Sequence, residues 1–188
     1  MSDWSKPFKV SYRVMRVSRR TGLETGRLSW VVSGGSIERN QDTDIGESGS
    51  LTVEGSPSLG VDRVRVWADC TWHDGSRTSV ALGTFLPNIP TRHVNGAEAT
   101  SQFDLYGLLQ EAADDMFETP FTVKKGENPV DKAAGILRGC NLEVAAYNPG
   151  GYRLSENWTF GIRNSANADQ GTSKLDAVND LLDLAGYA

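Results

Sequence analysis

Between residues 64 and 72 every second position is apolar: Val64, Val66, Ala68, Cys70 and Trp72. Arg63, Arg65, Trp67 and Asp69 alternate with them. A period of two puts one set on each face of a pleated strand, so this stretch is a strand with one buried face. Phe8, Val10, Tyr12 and Val14 repeat the pattern against Lys9, Ser11 and Arg13. Turn residues cut the remainder into more strands. Arg20-Thr21-Gly22 and Thr25-Gly26-Arg27 predict a hairpin whose return strand covers residues 28–40, with Trp30, Val32 and Ile37. Within it, Gly34-Gly35 marks a bulge or a close backbone approach. Leu51-Thr52-Val53 adds a strand, and His73-Asp74-Gly75-Ser76 turns into another over residues 79–86. Asn95-Gly96 is a strong turn dipeptide and predicts a hairpin continuing through residues 97–103. Strands at this spacing favour a barrel or a sandwich, and the expectation is a barrel-like antiparallel domain over residues 1–105.

From residue 106 the pattern changes to short helices between short strands. Asp104 is placed to cap a helix with the apolar face Leu105, Leu108, Leu109, Ala112 and Met116. Phe121-Thr122-Val123 reads as a strand. Asn128-Pro129 opens a helix with Val130, Ala133, Ala134 and Leu137 on its buried stripe, and Gly139 is its predicted stop. Residues 142–146 and 158–162 read as strands about the Asn148-Pro149-Gly150-Gly151 turn. Residues 163–172 are polar and read as a loop. Ser173 and Asp176 form a capping box for a last helix carrying Leu175, Val178, Leu182 and Ala185, ended by Gly186. The expected class is α+β, mainly antiparallel β, with a smaller α+β domain over residues 106–188.

Charge is segregated along this chain of 188 residues and net charge −5. Residues 1–30 hold seven Lys/Arg against Asp3 and Glu24, whereas residues 95–188 hold seven basic and fourteen acidic groups. Such a chain suits head-to-tail contacts between copies. A solvated basic hairpin is the plainer reading of the same residues. Arg13, Arg16, Arg19, Arg20, Arg63, Arg65 and Trp67 form the candidate assembly interface, because Arg and Trp concentrate at binding hot spots. Trp67 also admits a carbohydrate platform. No apolar run approaches the ~18 residues of a membrane span. No charged-then-apolar N-terminal stretch predicts a secretory signal. Cys70 and Cys140 are too few for a disulfide framework.

Catalytic patterns are missing from the sequence. His73 and His93 lie beside predicted turns, and no Cys-x-x-Cys or His-Glu-x-x-His spacing occurs. Gly46-Glu47-Ser48-Gly49 has the wrong spacing for a nucleophile elbow. Asp42 and Asp44 lack the Gly and Glu that would complete a calcium loop. Glu111, Asp114, Asp115 and Glu118 cluster at a helix end and read as a solvated face rather than an acid–base pair. The expectation is no enzyme, no metal and no cofactor.

One resemblance emerges from the order of segments. Ser33-Gly34-Gly35-Ser36-Ile37-Glu38-Arg39-Asn40, then Ile45, then Ser48-Gly49-Ser50-Leu51-Thr52-Val53 resembles the opening of tail hub proteins of long-tailed phages. The strand over residues 62–67, the segment Leu82-Gly83-Thr84-Phe85-Leu86-Pro87 and the run over residues 97–109 follow in the family's order. The last helix closes on Ala185-Gly186-Tyr187, as the corresponding family helix closes on glycine-tyrosine. The resemblance covers residues 28–188 and implies a structural part of the tail tip. It implies a trimeric ring around the tail channel, contacting distal tail, tail tube and tape measure proteins, with genome DNA only passing through. It also implies assembly in the host cytoplasm, placement in the virion, and a truncated second barrel after residue 105. The distal tail ring, or a carbohydrate-binding or wall-degrading tail module, is the alternative. Within the hub reading, Asp114, Asp115 and Glu118 are candidates for an acidic channel lining that repels DNA.

Overall fold

The computed structural model describes residues 7–29, 32–40, 42–55, 60–95, 98–145, 147–161 and 172–187. The chain divides into two compact units, residues 1–108 and 109–188.

The first unit is built from β1 (Phe8–Val17), β2 (Glu24–Arg27), β3 (Val32–Arg39), β4 (Glu47–Glu54), β5 (Arg63–Trp72), β6 (Arg77–Pro87), β7 (Thr91–Asn95) and β8 (Glu98–Gly107). They form one sheet in the order β2-β1-β5-β6-β8-β4-β3, with β7 also on β8. Every pairing is antiparallel. The sheet is mainly antiparallel as expected, but its strand path is open rather than a closed barrel. β6 meets β8 only where Phe85, Leu86 and Pro87 oppose Gly107, Tyr106 and Leu105. Around that short seam both halves of the sheet contribute to one core of Val14, Leu51, Val53, Val64, Val66, Phe85, Phe103 and Leu105.

Local chemistry explains the departures from the sequence reading. The return strand does not run unbroken over residues 28–40. Gly22 makes the turn at φ +68°, so the chain is already paired at Glu24 and Thr25-Gly26 lies inside β2. Trp30 lies outside the described residues. Gly34-Gly35 proves to be both a bulge and a close approach. The register shifts between Val32 and Gly34, and a Cβ on Gly35 would sit 2.5 Å from the Ser50 carbonyl oxygen. The predicted turn residue Gly96 lies outside the described residues, but Asn95 and Glu98 on either side are paired. Asp104 caps no helix. It lies in β8 opposite Ser50, because Phe103 and Leu105 on either side bury on one face with a period of two.

The second unit contains α1 (Gln110–Asp114), β9 (Phe121–Val123), α2 (Pro129–Gly139), β10 (Trp158–Phe160) and α3 (Lys174–Leu184). β9 and β10 form a two-stranded antiparallel sheet. Its core joins Phe117, Val123, Ala133, Ile136, Leu154, Phe160, Ala177, Val178 and Leu181. The Phe117 and Phe121 rings stack at 5.1 Å. Asn128 caps α2 by accepting from the backbone N–H groups of Val130 (2.8 Å) and Asp131 (3.2 Å). Ser173 and Asp176 form the expected capping box on α3.

α2 ends on Gly139, but without the left-handed conformation expected of a glycine stop. The left-handed position falls on Asn141 at φ +57°. The Asn141 N–H donates to the Arg138 carbonyl (3.1 Å) and the Leu142 N–H to the Leu137 carbonyl (3.1 Å), which is a Schellman ending. This also explains why residues 142–145 form no strand: the Leu142 amide is spent on the helix and its side chain is buried. Ala146, Ile162 and residues 163–171 lie outside the described residues. Gly186, at φ +78°, ends α3 with the same pair of bonds.

Candidate assembly surface

β5 organises this surface. Val64, Val66, Ala68, Cys70 and Trp72 are buried, while Arg65, Trp67, Asp69 and Thr71 are half-buried on its other face. Strand register decides which neighbours meet them. Arg13 of β1 lies opposite Trp67, and Ser79 of β6 lies opposite Asp69. The Arg13 guanidinium carbon sits 4.8 Å from the centre of the Trp67 ring, a cation–π contact. Arg13 Nε also donates to Asp69 Oδ2 at 2.8 Å, and Ser79 Oγ donates to Asp69 Oδ1 at 2.5 Å. The Ser79 hydrogen bond first, and then the Arg13 guanidinium, hold the Asp69 carboxyl below its ordinary pKa.

A second set of bonds anchors the other edge. Trp67 Nε1 donates to Glu24 Oε1 at 2.8 Å, and Arg65 Nη1 reaches the same oxygen at 3.3 Å. Arg65 Nε donates to Thr84 Oγ1 at 2.8 Å. One polar network therefore links β2, β1, β5 and β6, and Trp67 is clamped rather than loose.

The structure brings Arg13, Arg65 and Trp67 together. The other interface candidates separate from them. Arg16 faces Asp62 at 3.8 Å. Arg19 and Arg20 are exposed at the β1–β2 turn. Arg63 is only 4% exposed, so it offers no surface to a partner. Glu24, Asp69, Ser79 and Thr84 are the members of the network that were not among the interface candidates. Only strand register could have found them.

The acidic trio does not act as one patch. Asp114 is exposed and accepts from Gln110 Nε2 at 2.7 Å. Asp115 forms an ion pair with Lys174 Nζ at 2.5 Å and accepts from Cys140 Sγ at 3.8 Å. The hydrogen bond that Lys174 donates to Asp115 raises the Lys174 pKa, and burial pushes the Cys140 thiol up. Glu118 is exposed. A longer acidic stripe lies elsewhere: Asp176, Asp180 and Asp183 are all exposed on α3. Their spacing, opposite Leu175, Val178 and Leu181, was the available signal.

Both histidines are exposed, His73 in the β5–β6 turn and His93 on β7. Among the described residues no group of three His, Cys, Asp or Glu side chains is placed to hold a metal ion. Nor is any helix among them long and apolar enough to cross a membrane.

No protein-family profile and no curated protein matches the sequence. Solved structures do match the fold. The 43 kDa tail protein of prophage MuSo2 from Shewanella oneidensis aligns over 95% of this chain and 49% of its own, with a TM-score of 0.57 and 10% identity. The tail protein from Neisseria meningitidis MC58 aligns over 93% of this chain and 46% of its own, with a TM-score of 0.56 and 12% identity. The chain thus has an α+β fold shared with phage tail proteins, and it spans about half the length of these two.

Proposed function

We propose that the chain is a structural component of a phage tail tip, building a hub ring around the tail channel below the tail tube. The observation that carries this reading is the fold shared along nearly the whole chain with two tail proteins. The outer face of β2-β1-β5-β6 supports it, because a braced Arg–Trp surface suits lasting protein contacts. In this reading the partners are further copies in a trimer, distal tail and tail tube proteins, and the tape measure protein. Assembly takes place in the host cytoplasm and the product is part of the virion. The chain performs no enzymatic step. Asp114 and Glu118 are the members of the acidic trio free to face passing DNA, since Asp115 is engaged by Lys174.

The test is mass spectrometry of purified tail particles, with light scattering of the purified chain alone and with its neighbouring tail proteins. Presence in the particles and a trimeric mass support the hub. A hexameric mass reassigns the chain to the distal ring. Hydrolysis of cell-wall material by the purified chain overturns the structural reading.

A further inference from the structure

We propose that the outer face of β2-β1-β5-β6 is the seat for helix α3 of a second copy of this chain. The inference rests on the assembly reading above and names the surface through which copies meet.

The face is basic while its unit is neutral. Residues 1–108 hold twelve Lys/Arg and twelve Asp/Glu. Among the described residues, five of those cations, Lys9, Arg13, Arg27, Arg65 and Arg77, share the face with only two carboxylates, Glu24 and Asp69. Arg13 and Arg65 are engaged by those two carboxylates. Lys9, Arg27 and Arg77 are exposed and have no ion pair among the described residues.

Register arranges the cations in two rows. Lys9 and Arg77 flank Thr71, and Arg27 and Arg65 flank Met15. Six residues of β1 separate the rows, about 20 Å. Between them lie Arg13 and Trp67. A cleft of about 910 Å³ opens along the first row, lined by Lys9, Arg13, His73 and Arg77 among others.

α3 supplies the complement. Residues 109–188 hold seven Lys/Arg against twelve Asp/Glu, so the whole net charge of the chain resides there. The only cation on α3, Lys174, is committed to Asp115. Asp180 and Asp183 point outward along a helix of eleven residues, about 16 Å long, and the exposed Asp176 carboxylate also closes the capping box with Ser173. The last turn has no basic residue, so Asp183 sits uncompensated at the negative end of the helix dipole. A cation from a neighbouring copy relieves that repulsion, and the α3 carboxylates in turn pair the free cations of the first row, Lys9 and Arg77. The contact joins two different surfaces, so repetition builds a ring where the rotation closes and a filament where it does not.

The test is light scattering of the full chain over a concentration series, at about 0.05 M and about 0.5 M salt. The wild-type chain self-associates, and high salt weakens the association. Lys9→Glu with Arg77→Glu weakens it about tenfold or more, and so does Asp180→Lys with Asp183→Lys. All four changes in one chain restore it. The Asp183→Lys change also puts a cation at the helix end, so a weakened association without loss of thermal stability separates the interface from misfolding. A wild-type chain that stays monomeric throughout overturns the proposal. So does a fourfold variant no better than either pair. Duplex DNA captured by the basic face of a monomeric chain, and lost with Lys9→Glu and Arg77→Glu, overturns it in favour of a nucleic-acid surface. Incorporation into tail particles is scored separately. Either double variant entering particles normally overturns the seat and leaves the tail reading standing.

Discussion

Asp69 shows what one residue gains from its neighbours. Its carboxylate accepts from Ser79 and from Arg13, and both favour the charged form. A carboxyl held below its ordinary value adds stability above the unfolded pKa of about 4 and loses it as the pH falls through the folded value. Ser79→Ala is therefore expected to move the Asp69 carboxyl back toward the ordinary range. Carboxyl-carbon NMR titration reads that shift, and wild type and variant converge in stability at low pH. The stability difference at neutral pH is under about 1 kcal/mol, because the Arg13–Asp69 pair is partly solvated. The sequence placed Arg13, Trp67 and Asp69 on faces of their strands but not beside one another. Sharing a face follows from a period of two, whereas being neighbours follows from pairing β1 with β5 in one register.

At the scale of elements, helix ends were legible where the cap is local. Asn128-Pro129 and Ser173-x-x-Asp176 name their own hydrogen bonds, and both form. Asn128→Ala is expected to cost about 1–2 kcal/mol. Asn141→Gly is expected to gain about 0.5–1 kcal/mol, because glycine accepts the left-handed conformation that Asn141 adopts at a cost. Urea unfolding monitored by circular dichroism checks both, with midpoints moving in opposite directions. The misreadings were also physical. Leu105 fits a helical stripe with Leu108 and Leu109 as well as it fits a strand, and pairing of β8 with β4 decided for the strand. Residues 142–145 are apolar enough for a strand, but the ending of α2 takes the Leu142 amide first.

For the whole molecule, two units with separate cores set the pattern of stability. Phe85 and Leu181 are fully buried, one in each core. Phe85→Ala is expected to cost about 3–5 kcal/mol and Leu181→Ala about 2–5 kcal/mol. Hydrogen exchange locates each effect: Phe85→Ala releases the amides of β5, β6 and β8, and Leu181→Ala those of α2 and α3. The change of pattern near residue 106 lies close to the boundary after Leu108, because a switch from strand to helix periodicity is a local signal. By itself the sequence determined the antiparallel α+β class, the faces of the long strands and the helix caps. These depend on residues a few positions apart. Only the tertiary structure decided that the sheet stays open, that Arg63 is buried, and that a basic face and an acidic helix are both presented. Those outcomes depend on which distant strands pair and in what register, a choice made by the burial of Val14, Val66, Phe85 and Phe103 in one core.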